Sequence, residues 1–208
     1  MKFLALSAAA VALFATNAVA IPTPELDLSQ VYFESIDYGG TGCPGGSAAA
    51  SLSTDRKTFT LIFDSYVARV GPGIDAEDRK NCQINIHLYY PHGIQYSLFS
   101  ADYRGYVKLD KGVTGTQKAT YYFAGNTAQH SSETNWDGPI SKDYLIHDET
   151  DFKSTMWSPC GDVRALNINS QIRLDNSENT DGSGYLTTDS TDGKVSFILG
   201  LRWQPCKV

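Results

Sequence analysis

The sequence predicts an all-β fold, an antiparallel β-sandwich or jelly roll of about ten strands stapled by disulfides. Three observations carry that expectation. Apolar residues alternate with polar ones at period two in three segments: Cys82, Ile84, Ile86, Leu88 and Tyr90; Leu166, Ile168, Ile172 and Leu174; and Val195, Phe197, Leu199, Leu201 and Trp203. No window of about 11 residues or more shows helical apolar spacing outside the first twenty residues. Glycine and proline turn signals punctuate the whole chain, as at Gly71-Pro72-Gly73 and Pro91-His92-Gly93.

Taken in order, Gln30 to Tyr38 is rich in aromatic and β-branched residues and reads as a strand that stops at Gly39-Gly40. Gly42-Cys43-Pro44-Gly45-Gly46 has no regular conformation open to it and is a loop. Ser47 to Ser53 and Lys57 to Val70 flank Thr54-Asp55 as the arms of a hairpin. Around Cys82 to Tyr90 the buried face alternates with a wet one of Gln83, Asn85, His87 and Tyr89. Ile94 to Tyr103 returns as the next strand, and Arg104-Gly105 is expected to break it before Tyr106 to Leu109. Ala119 to Phe123 is another strand, and Asp192-Gly193 a tight turn into the last one. Gly125 to Gly138 and Asn176 to Gly184 are polar and read as long exposed loops.

Lys2, the apolar stretch Ala8 to Ala15 and Ala18-Val19-Ala20 have the order of a secretory signal, with cleavage after Ala20. The apolar run is too short for a membrane span, and Asn17 interrupts it. Residues 21–208 are then the expected secreted, extracellular chain, a single domain and a monomer. The 208-residue sequence carries net charge −6, one unit more negative without Lys2. With no basic run, it lacks the lysine and arginine clusters that nucleic acid or an anionic membrane requires.

An oxidising compartment pairs Cys43, Cys82, Cys160 and Cys206 as disulfides. Four cysteines allow three connectivities, which sequence alone does not separate. Cys43–Cys82 with Cys160–Cys206 is the expected one, since each bond then staples one half of the chain. Neither C-x-x-C spacing nor a histidine beside a cysteine suggests a metal instead.

Catalytic signals are weak, and the expectation leans away from an enzyme, with no catalytic, metal-ligating or cofactor-binding residues assigned. The G-x-S-x-G elbow is absent, and Gly45-Gly46-Ser47-Ala48-Ala49 misses its last glycine. A glycosidase needs two carboxyl groups across a cleft. Glu34 is the one glutamate clearly within a predicted strand, with Asp37 and Asp64 as further candidates. His87, His92, His130 and His147 have no metal-ligand spacing, and an N-terminus at Ile21 rather than histidine excludes a copper brace. Asp175 to Gly184 is dense in oxygen ligands of the kind calcium takes, but out of register with an EF-hand.

Aromatic residues are the remaining signal. The chain has 12 Tyr and 3 Trp, with doublets at Tyr89-Tyr90 and Tyr121-Tyr122. One ring of a strand doublet faces out, so Tyr89, Tyr121 and Trp136 in its polar loop are the candidate glycan contacts.

Gly42-Cys43-Pro44, Asn81-Cys82-Gln83-Ile84-Asn85-Ile86 and Tyr90-Pro91-His92-Gly93 resemble a group of small secreted, mostly fungal proteins with four cysteines. Arg104-Gly105-Tyr106, Gly138-Pro139, Ser158-Pro159-Cys160-Gly161 and Trp203-Gln204-Pro205-Cys206 extend the resemblance across nearly the whole secreted chain. That family is catalogued as a domain of unknown function. It implies secretion, two disulfides and a compact β-rich domain, and brings no reaction and no catalytic residue. The expected role is non-enzymatic and extracellular, as an effector or elicitor in virulence acting on a host surface component. The alternative is a carbohydrate-binding or glycan-active protein, hydrolase-like or lyase-like, acting on cell-wall polysaccharide.

Overall fold

The computed structural model describes residues 26–74, 77–148, 156–160, 163–188 and 197–206. The signal segment with Ala20 and the Asp192-Gly193 turn lie outside the described residues. Among those described there is no helix, and twelve strands form two antiparallel sheets packed as a sandwich. The strands are β1 (Tyr32–Gly39), β2 (Ala48–Leu52), β3 (Thr58–Phe63), β4 (Val67–Val70), β5 (Arg79–Tyr89), β6 (Ile94–Leu109), β7 (Thr114–Phe123), β8 (Gln129–Asp137), β9 (Ile140–Asp148), β10 (Leu166–Asp175), β11 (Gly184–Thr187) and β12 (Phe197–Pro205).

The first sheet runs β1-β5-β10-β7-β8, and the second runs β2-β3-β12-β6-β11-β4 with β9 on the free side of β6. The alternation read from sequence sets which face is buried. Ile84, Ile86 and Leu88 of β5, Ile168 and Ile172 of β10, and Phe197, Leu199 and Leu201 of β12 all enter the core. Aromatic rings fill the space between the sheets. Phe197 meets Tyr103 edge-on at 4.7 Å and Phe63 at 5.1 Å between centroids, and Tyr96 meets Phe123 at 5.2 Å. Tyr66, just before β4, donates its hydroxyl to Ser170 Oγ of β10 at 2.9 Å, a buried polar tie between the sheets.

The disulfides join Cys43 to Cys82 and Cys160 to Cys206, with Cα separations of 5.4 and 5.8 Å. The first fastens the loop after β1 to the middle of the core; the second ends β12.

Two expectations need correction. Arg104-Gly105 does not break a strand, because β6 is continuous from Ile94 to Leu109. A Cβ on Gly105 would stand 2.0 Å from the Thr187 carbonyl oxygen, so glycine is there for close approach of β11 rather than for a turn. Gly125 to Gly138 is not a loop throughout, since it contains the whole of β8. Its small polar residues gave no hydrophobic alternation, as suits an edge strand whose backbone pairs with β7 on one side only. Between β8 and β9 the chain crosses from one sheet to the other at Gly138-Pro139, where a Cβ on Gly138 would lie 1.9 Å from the Asp110 carbonyl.

Candidate functional site

The outer face of the first sheet is built by the residues that alternate with its core. On β5 these are Asn81, Gln83, Asn85, His87 and Tyr89, and on β10 they are Asn167, Asn169 and Gln171. Antiparallel register sets them directly opposite one another: Asn81 faces Gln171, Gln83 faces Asn169, and Asn85 faces Asn167. Six side-chain amides therefore form a ladder of three opposed pairs along the two neighbouring strands. Over the four-residue span of one strand this ladder is about 13 Å long.

Its surroundings are polar and aromatic. Tyr122, Thr120 and Lys118 of β7 stand beside Asn167, Asn169 and Gln171 in turn. Beyond them Ser131 and Glu133 of β8 face Thr120 and Lys118. At the β1 end Tyr32, 50% exposed, stacks on Tyr89 with ring centroids 4.9 Å apart. Charges keep to the margins and are tied. Lys118 pairs with Glu133 at 3.0 Å, holding that carboxyl below the usual range, and Arg79 donates to Gln171 Oε1 at 2.9 Å. Within the ladder, Gln83 donates to Asn85 Oδ1 at 3.3 Å, and Asn167 turns its amide to the Ala165 carbonyl at 3.3 Å. The strip between is uncharged, with amides that both donate and accept.

Of the three aromatic residues expected to meet glycan, Tyr89 alone lies on this face. Tyr121 is 0% exposed and points into the core, and its neighbour Tyr122 takes the outward position. The phase was readable: Ala119 and Phe123 share the face of Tyr121 at period two. Trp136 is 8% exposed, lies in β8 rather than in a loop, and packs against Tyr144 at 4.9 Å. Its ring bridges the two sheets at the corner and is not available to a ligand.

The carboxylates do not assemble into a pair across a cleft. Glu34 and Asp37 are exposed on the edge strand β1, and Asp64 lies in the turn after β3. Ser47 is buried and donates its hydroxyl to the Pro44 carbonyl at 2.7 Å. His147 Nδ1 meets Asp102 on the outer side of the second sheet, and Ser132 gives its hydroxyl to Asp148. Burial pushes the nearby His130 down, and the Asp148 charge opposes this. Among the described residues no three His, Cys, Asp or Glu are placed to hold a metal ion. In the 175–184 segment Asp175 accepts from Ser177 N at 2.8 Å, and Asn179 donates to the Lys111 carbonyl at 2.7 Å, so these groups hold the loop itself.

A protein of Arthroderma benhamiae described as "Uncharacterized secreted protein" is 55% identical over 181 residues, which cover 86% of this chain and 74% of that one. A solved structure of TmCBM61 in complex with beta-1,4-galactotriose aligns over 83% of this chain and 90% of that one, at 11% identity and a TM-score of 0.26, too small a likeness to bear on fold or ligand. The two disulfides and the secretion of the relative agree, and the protein is secreted and extracellular. Residues 29–206 match the family described as "Domain of unknown function (DUF4360)", and the chain belongs to that family of small secreted, mostly fungal proteins.

Proposed function

We propose that this protein, acting as one domain over residues 21–208, is a non-catalytic binder of neutral cell-wall polysaccharide, and that the outer face of the first sheet is its binding surface. The amide ladder carries the reading. Each amide offers two donors and an acceptor side by side, the same mixed pattern that neighbouring sugar hydroxyls present in return. Tyr89, Tyr32 and Tyr122 add rings with an apolar body and a polar tip, suited to the C–H faces and hydroxyl edges of pyranoses. The uncharged centre gives no reason to prefer an anionic chain.

Affinity electrophoresis through gels cast with β-glucan, xylan or mannan tests this. Retardation by at least one polysaccharide is expected, lost in Asn85→Ala/Asn169→Ala at unchanged melting temperature. Free migration in every gel, or full retardation of the double variant, would overturn the reading.

Action at a host surface as an effector or elicitor is supported by secretion and by the family alone. Infiltration of host tissue with the wild type and the same double variant tests it. A response to the wild type that the variant loses would assign the effect to this face.

A further inference from the structure

A groove lies against the other sheet and shares no residue with the amide ladder. It measures about 610 Å³ and is bounded by the segment before β1, the tip of the β2–β3 hairpin and the paired strands β6 and β12. Two backbone irregularities shape it. Pairing of β12 with β6 shifts between Gly200 and Leu201, which face Ser100 and Leu98 and leave Phe99 as the extra residue of a bulge. The bulge turns the Phe99 ring outward, 39% exposed, into the groove. Across from it Arg56 holds the left-handed conformation, with φ of 58°, uncommon for a residue that is not glycine. That conformation is fixed from two sides: Trp203 Nε1 donates to the Arg56 carbonyl at 2.8 Å, and Arg56 Nη1 donates to the Ser53 carbonyl at 2.9 Å.

The result is a convergence of cations in a chain of net charge −6. Arg56, Lys57 and Arg202 line the groove, with Asp55 as its one carboxylate. Asp55 is already engaged, accepting from Ser53 Oγ at 2.6 Å and from Lys57 N at 3.1 Å. Arg202 places its guanidinium over the Phe99 ring at 5.6 Å, and both residues line the groove. Arg56 Nε is buried and has no partner among the described residues. The rest of the wall is mixed: Leu26, Leu28, Phe99, Leu201 and Trp203 supply its apolar surface, and Ser29 and Thr54 interrupt it. A groove of this volume suits a small molecule rather than a polymer.

We infer that this groove binds an apolar monocarboxylate, its carboxylate held by Lys57 and Arg202 and its hydrocarbon body laid against Leu26, Leu28 and Phe99. Cations select the charge, and leucine and phenylalanine select the body, so neither a neutral apolar molecule nor a hydrophilic acid satisfies both. The inference is independent of the polysaccharide reading, since no residue is shared with the amide ladder.

Isothermal titration of the full secreted chain with decanoate, decanol and digalacturonate decides it. Decanoate is expected to bind, and the other two are expected to give no binding at the same concentrations. Lys57→Gln and Arg202→Gln each weaken decanoate by about tenfold or more. Both side chains are exposed, and an unchanged near-ultraviolet circular dichroism spectrum verifies the fold of each variant. Binding of decanol as tight as decanoate, binding of digalacturonate alone, silence with decanoate at millimolar concentration, or undiminished affinity in both variants would each overturn the inference.

Discussion

Replacing Tyr66 by Phe removes one oxygen atom and cuts a buried tie between the sheets, Tyr66 Oη to Ser170 Oγ at 2.9 Å. Both residues are wholly buried, Tyr66 just before β4 and Ser170 in the centre of β10. The Ser170 hydroxyl would lose its donor in a place without solvent, which costs about 1–3 kcal/mol. For a chain of this length each kcal/mol lowers the melting temperature by about 2–4 °C. Ser170→Ala is expected to cost a similar amount or less, because it removes the serine partner of a buried tyrosine hydroxyl that keeps a contact with the Cys82 backbone. The double variant removes both partners, so its loss is smaller than the two single losses added, by about 1 kcal/mol. Urea unfolding of the four proteins with disulfides intact measures this coupling. Burial raises the Tyr66 hydroxyl above its ordinary value, so it stays a neutral donor throughout the accessible range and the result is independent of pH. Strict additivity of the two single changes would refute the cross-sheet tie.

The other predictions follow from the same geometry. Trp136→Ala empties the space against Tyr144 and lowers stability by about 3–5 kcal/mol, while polysaccharide retardation measured well below the melting point stays at the wild-type level. Loss of retardation without loss of stability would return Trp136 to the binding surface. Removing the Cys43–Cys82 bond as a Cys43→Ala/Cys82→Ala pair opens a loop with a sequence separation of 39 and costs about 4 kcal/mol in the chain-entropy model, read by urea unfolding. Gly105→Ala drives a Cβ against the Thr187 carbonyl and is expected to cost at least about 1–3 kcal/mol, read by urea unfolding. His130 is held below its ordinary value by burial, so the unfolded chain binds its proton first as pH falls. Its contribution is therefore complete above the ordinary histidine range and declines as pH drops through that range towards the lower folded value. His130→Gln flattens this part of the stability–pH curve, and an unchanged curve would exclude His130 as its source.

The strands that were legible in the sequence are those with one dry face. The alternation of Cys82 to Tyr90 gave β5, and Ile168 with Ile172 gave the inward face of β10, which by itself leaves Asn167, Asn169 and Gln171 outward. What period two cannot provide is register. That Gln83 faces Asn169 and not its neighbour is set by how β5 and β10 meet across the 76 residues between Tyr89 and Leu166. The edge strand β8 escaped because its backbone hydrogen bonds need no apolar side chains: it presents Ser132 and Thr134 where a central strand would present leucine. Trp136 was misplaced for the same reason, since Tyr144, the ring that covers it, arrives from the far side of a sheet-to-sheet crossing. Tyr121 was a matter of phase within a doublet, decided by the inward Ala119 and Phe123. The groove depends on a bulge at Phe99 and a left-handed Arg56, and neither leaves a mark in composition or periodicity.

The central claim is that the amide ladder binds neutral polysaccharide. Nitrogen-15 correlation spectra that resolve the side-chain NH₂ groups, recorded while a soluble oligosaccharide from the retarding polysaccharide is added, test it most directly. Progressive shifts of the NH₂ pairs of Gln83, Asn85 and Asn169 are expected, with those of Asn126 and Asn179 unmoved. Shifts confined to residues outside the ladder, or none at saturating oligosaccharide, would contradict it.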